Sequence, residues 1–198
     1  MQQNQELHAV ANFLFEMGVL AKTPRSAFYF LGSGQQSIAE HLNRTVYIGF
    51  ALAKLAGNVD CAKVCLMSLF HDAAEARTSD LNYVHQQYLK VDEHRAINDM
   101  TQRLPFGEEI RAILQEFEQR QSAEAVLAKD ADNLEWIMSL KELLDLGNDR
   151  AKAMITNAKQ RLRSEPAKQL VEVILETKSD NWYLENTDDQ WWIHRKIN

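Results

Sequence analysis

The stretch "SLFHDAAEARTSD", residues 68–80, places His71 and Asp72 side by side at the end of an otherwise apolar run, with Glu75 one helical turn later. The spacing predicts a helix over about 60–76, ended by "RTSDLN", with Asp80 just past its end. Adjacent residues on a helix point about 100° apart, so His71 and Asp72 converge on one point only if that point lies beside the helix. An imidazole and a carboxylate together suit borderline or hard divalent metals. A pair is not a site, and further ligands must come from elsewhere in the chain.

The rest of the sequence has the same helical period. Seven Gly and three Pro interrupt 198 residues. Residues 4–18 form a first amphipathic segment, with Leu7, Val10, Ala11, Leu14, Phe15 and Met17 as its apolar stripe. Residues 19–36, with Pro24, Gly32 and Gly34, read as a long loop, and loops of that length in compact domains are often functional. Ser37 with Glu40 three residues on is a capping box, so a helix starts there and stops at Gly57. Further helices are expected over 83–103, 107–119, 122–145, 148–163 and 166–178. The fold class is all-α: one irregular helical domain over 1–180, with the Trp-rich stretch 181–198 as a tail for packing or subunit contact.

Composition narrows the function. The net charge of -6 argues against a nucleic-acid partner, and no apolar run is long enough for a membrane span. The N-terminal segment has neither the basic n-region nor the cleavage site of a signal peptide. Cys61 and Cys65 lie on one helix face and read as reduced, buried thiols, since no second pair is present to complete a zinc site. A cytoplasmic setting is expected. His8, His85 and His94 lie on polar stretches and read as solvated.

Two segments offer partners for the His71–Asp72 pair. His41 lies in the opening turns of the helix that Ser37 caps. In "VLAKDADNLEW", an aspartate stands inside an apolar helix, where a carboxylate is costly unless paired or metal-bound. The pattern alone leaves Asp130 and Asp132 both open.

The order His41, His71–Asp72, Asp132 resembles the H…HD…D pattern of the HD-domain metal-dependent phosphohydrolases. The segments "TPRSAFYFLGSGQQSIAEHLNR", "LFHDAAEARTSDL" and "SAEAVLAKDADNLEW" are similar to the oxetanocin-like, 5′-deoxynucleotidase branch, a resemblance covering about residues 5–175. It implies an all-α domain holding one divalent ion (Mn, Co, Fe, Ni or Zn) through His41, His71, Asp72 and Asp132. Asp132 is preferred to Asp130 because it opens the D-x-L-E match. Glu75 matches the catalytic glutamate of HD-x-x-E, Arg25 a phosphate-contacting arginine, and Asp80 a further acidic residue that holds a sugar hydroxyl or supports the site. Some relatives follow the arginine with Trp, whereas here Ser26 and Ala27 follow Arg25. The implied activity is release of phosphate from nucleoside 5′-monophosphates, deoxyribonucleotides above all, by a homodimer. Cyclic nucleotides or guanosine polyphosphates are the alternative substrates, and a non-catalytic metal-binding module is the alternative class.

Overall fold

The computed structural model describes residues 2–184, so the expected role of the Trp191–Trp192 tail lies outside the described residues. Among these, eleven α-helices and two 3₁₀ turns account for the secondary structure. The sole β feature is an isolated bridge between Pro24 and Ser37.

The longest helix forms the centre. Ser122 accepts the Ala125 N–H through its hydroxyl and so starts Ala123–Asp145 (α8 in chain order). Leu127, Ala131, Leu134, Ile137 and Leu140 on this helix are all buried. Around it pack α2 (Ile38–Ala56), α3 (Cys61–Phe70), α7 (Gly107–Gln119), α9 (Arg150–Lys159) and α10 (Glu165–Glu176). One continuous apolar core, including Leu52, Val64, Met67, Trp136 and Val171, joins these helices. A second cluster seals α1 (Gln2–Met17) against α6 (Glu93–Thr101) and α7 through Phe13, Ile97, Met100 and Leu114. In α1 the buried anchor is therefore Phe13, while Leu7, Leu14 and Phe15 of the expected stripe are exposed.

The capping box at α2 forms as expected: the Ser37 hydroxyl accepts the Glu40 N–H, and Glu40 accepts the Ser37 N–H at 2.6 Å. Gly49 lets α2 and α3 approach closely, since a Cβ there would sit 2.6 Å from the Ser68 hydroxyl. That contact sets the spacing of α2, which carries His41, and α3, which leads into His71.

Four expectations change. The helix expected over 60–76 is interrupted: α3 ends at Phe70, and a four-residue α4 (Glu75–Thr78) follows. Between them, Ala73 N–H donates to the Phe70 carbonyl and Glu75 N–H to that of Asp72, the i→i−3 bonds of a tightened turn. The segment 83–103 is two helices, α5 (Tyr83–Tyr88) and α6, because Asp92 caps a new start by accepting the Arg95 N–H. The expected loop 19–36 contains 3₁₀ turns at Gly18–Ala21 and Ser26–Phe30 that bury Leu20 and Phe28. Cys61 and Cys65 are free thiols but only half-buried.

Candidate metal centre

The tightened turn after α3 aims neighbouring side chains at one point. His71 Nε2 lies 3.3 Å from Asp72 Oδ2 and 3.3 Å from His41 Nε2. Asp132, from the middle of α8, places Oδ1 3.2 Å from His41 Nε2 and 3.7 Å from His71 Nε2. Among the described residues, His41, His71 and Asp132 form a set whose ligand atoms lie within 4.8 Å of one another. Two helices, α2 and α8, and the turn after α3 thus bring together all four residues of the H…HD…D pattern.

The imidazole tautomers follow from their outer partners. His41 Nδ1 lies 2.6 Å from Glu135 Oε2, and His71 Nδ1 lies 3.0 Å from the Ser68 carbonyl. Carboxylate and carbonyl oxygens accept, so each Nδ1 carries a proton and each Nε2 lone pair faces the other ring. Two lone pairs and two carboxylates within contact distance repel one another unless a cation sits among them. The titration of the groups expresses the same demand. Burial by itself lowers the His71 value, but Asp72 and Asp132 outweigh it and bring it up to about 10. Burial raises Asp132 and Asp72, yet both are held below the usual carboxylate range, Asp132 by Lys129 and the two histidines, Asp72 chiefly by His71. A donor set of two imidazoles and two carboxylates therefore fits a divalent first-row ion.

Glu135, which closes the D-x-L-E match, is the residue to which sequence reasoning gave no role of its own. It is fully buried, and its Oε1 accepts from Gln36 Nε2 at 2.7 Å and Arg44 Nη2 at 2.8 Å, while Oε2 takes His41. Burial raises its carboxyl, but the His41 hydrogen bond and the charges of His41 and Arg44 bring it down to about 2. This is the carboxylate–histidine support that fixes a metal-binding ring. The signal was present as a polar stripe, Asp132, Glu135, Ser139 and Glu142, on an otherwise apolar helix.

Asp130 and Asp132 part company. Asp130 accepts from the backbone N–H groups of Arg163 and Ser164 and from the Ser164 hydroxyl, capping the approach to α10. Asp132 Oδ2 instead meets Lys129 Nζ at 2.5 Å, leaving Oδ1 for the centre.

The centre forms one end of a cavity of about 700 Å³. Arg25 reaches it from the bridge in which Arg25 N–H donates to the Gln36 carbonyl, and its Nη1 lies 3.3 Å from Asp72 Oδ2. Arg25 Nε and Glu75 Oε2 are buried without a hydrogen-bond partner, two unspent polar atoms at the same cavity. Burial, then Asp72 and Asp80, push the Glu75 carboxyl up to about 10. Asp80 lines the cavity but spends Oδ2 on the Ser26 N–H at 2.7 Å, tying its segment to the Arg25 loop. His8, His85 and His94 are exposed, as expected.

The fold and site define an all-α domain with a candidate metal centre in its helical core, and the comparisons place it. Residues 17–174 match the family model described as HD domain, and the chain belongs to that family. It is 30% identical over 159 residues to the 5′-deoxynucleotidase of Erwinia tasmaniensis, covering 71% of this chain and 79% of that one. It is 29% identical over 128 residues to the 5′-deoxynucleotidase plu3092 of Photorhabdus laumondii, covering 57% of this chain and 64% of the relative's length. A solved structure titled as a predicted metal-dependent phosphohydrolase, from Magnetospirillum magnetotacticum, shares the fold with a TM-score of 0.69, 22% identity and coverage of 87% and 92%. No helix among the described residues is long and apolar enough to cross a membrane.

Proposed function

We propose that the protein is a metal-dependent phosphohydrolase that releases phosphate from nucleoside 5′-monophosphates, deoxyribonucleotides foremost. The observation that carries this reading is the convergence of His41 Nε2, His71 Nε2, Asp72 and Asp132 at the end of a cavity that also holds unspent atoms of Arg25 and Glu75. The relatives named 5′-deoxynucleotidase support the substrate class.

His41, His71, Asp72 and Asp132 would hold one divalent ion. Such an ion supplies water activation and charge stabilisation for the phosphoryl oxygens. The chain's own residues do the rest. The Arg25 guanidinium grips a phosphate with geometry that lysine lacks. Glu75 adjoins the four-residue set without belonging to it, placed to orient the attacking water or shuttle a proton. Asp80 holds the Arg25 loop through Ser26 and leaves its other oxygen for a sugar hydroxyl. The donor set suits Mn, Co, Fe, Ni or Zn. A homodimer belongs to the same reading, supported by the exposed Phe15 and Tyr47 on α1 and α2.

The test is metal analysis of the purified protein, followed by phosphate release from a panel of deoxynucleoside, ribonucleoside and cyclic monophosphates and guanosine polyphosphates. Each is run with chelator and with metal restored. Metal-dependent turnover led by deoxynucleoside monophosphates is expected. Turnover confined to cyclic nucleotides or polyphosphates would replace this substrate, and metal binding without any turnover would leave only a binding module.

A further inference from the structure

The lining of the cavity that holds the proposed ligands includes the aromatic residues Tyr83, Phe117 and Trp136. Two of these rings are already committed. Phe117 is buried and packs against the His71 ring at 5.4 Å, and Trp136 is buried with its ring 5.3 Å from that of Phe28. Tyr83 differs, being 49% exposed. The guanidinium of Arg161, another cavity residue, lies 5.0 Å from the Tyr83 ring centroid, so a cation backs the ring.

Tyr83 is also held firmly relative to the phosphate end. Asn82, buried beside it, accepts the Val84 and His85 N–H groups and so fixes the start of α5. Asp80, three residues before Tyr83, is bonded to Ser26, the neighbour of Arg25. Three residues reach at most about 10 Å. Tyr83 therefore lies within one nucleotide's length of the carboxylate proposed to meet the sugar hydroxyl.

We propose that Tyr83, paired with Arg161, is the platform on which the nucleobase stacks, making this part of the cavity wall a site for a planar aromatic heterocycle. The assignment rests on the nucleotidase reading above for the identity of the heterocycle. Stacking uses the π-face that every base has, so this platform accepts purines and pyrimidines alike. It also gives the enzyme a reason to prefer a nucleotide over a bare sugar phosphate. The open position of Tyr83 means that replacing it leaves the core and the four-residue set untouched.

The experiment compares the parent holoenzyme with Tyr83→Ala and Tyr83→Phe in two measurements. In the first, deoxyadenosine is titrated calorimetrically, a ligand that carries the base and no phosphate to lose. The expected result is binding by the parent, weakening of roughly 10-fold or more in Tyr83→Ala, and recovery in Tyr83→Phe, which keeps the ring. In the second, kcat and KM are measured for deoxyadenosine 5′-monophosphate and for 2-deoxyribose 5-phosphate. Tyr83→Ala should raise KM for the nucleotide by a similar factor and leave the sugar phosphate unchanged. Parent-like nucleoside affinity in Tyr83→Ala, or no nucleoside binding by the parent, overturns the platform whatever the enzymology shows. Equal losses on both substrates overturn it too. A parent that binds deoxyadenosine through Tyr83 yet hydrolyses no nucleotide keeps the platform and refutes the activity.

Discussion

Replacing Glu135 by Gln keeps the shape of the side chain and removes its charge, and it should weaken the metal centre without touching a proposed ligand. The wild-type carboxylate accepts from His41 Nδ1 with one oxygen and from Gln36 and Arg44 with the other. An amide has only one acceptor oxygen. Turned toward Arg44, it sets its NH₂ against the His41 N–H and drives the ring toward the tautomer that protonates Nε2; turned toward His41, it sets NH₂ against Arg44. A hydrogen bond to a buried charged group contributes about 1.5–3 kcal/mol, which corresponds to roughly a 10–100-fold loss of metal affinity, the usual effect of removing such a support. Calorimetric metal titration measures this directly. The control is Glu142→Gln at the outer end of Arg44, where the exposed pair contributes about 0–1 kcal/mol and metal affinity should change little. Stability supplies a second readout with a defined sign. The Glu135 value lies at about 2, below its ordinary 4.5, so its contribution is present above pH 4.5 and is lost as pH falls through 2. The melting-temperature gap between parent and variant should therefore be full at neutral pH and close in strong acid. Parental metal affinity in Glu135→Gln would refute the claim that this carboxylate sets the His41 ring.

Within "DAD", Asp132→Ala should lose metal on dialysis, while Asp130→Ala should keep it and melt at a lower temperature, because Asp130 caps the backbone at Arg163 and Ser164; the opposite pattern of metal content would reverse the assignment. Glu75→Gln should retain metal and bind nucleotide but lose turnover by roughly 10²–10⁴-fold, the range for a proton-transfer group, and full metal with near-parental kcat would remove Glu75 from the chemistry. Arg25→Ala should lower kcat/KM for nucleoside monophosphates by about 2–4 kcal/mol with metal content unchanged, checked by steady-state kinetics beside metal analysis.

The proposed ligand set was readable in the sequence because its residues keep a fixed order and each stands in a segment with clear helical signals. Choosing Asp132 over Asp130 needed the D-x-L-E match, since both are carboxylates in one apolar helix. The break after Phe70 was invisible to periodicity: Ala73, Ala74, Glu75, Ala76 and Arg77 are good helix formers, and the turn shows only in the i→i−3 hydrogen bonds of the folded chain. The 3₁₀ turns in 18–30 are too short to show a period. The supporting role of Glu135 escaped because a buried carboxylate looks like any helix glutamate until its partners, Gln36, His41 and Arg44, arrive from ninety or more residues away.

The bond from Asp80 to Ser26 has a mechanical consequence. It fastens the loop that carries Arg25 to the segment that leads into Tyr83, and those two pieces form neighbouring parts of the cavity wall. On the proposed activity, a nucleoside leaving after phosphate release passes between two wall segments that this bond ties together. Either the fastened pair lifts as one flap, or Asp80 lets go first. In the second case a single hydrogen-bonded carboxylate of the cavity wall is the latch that opens it.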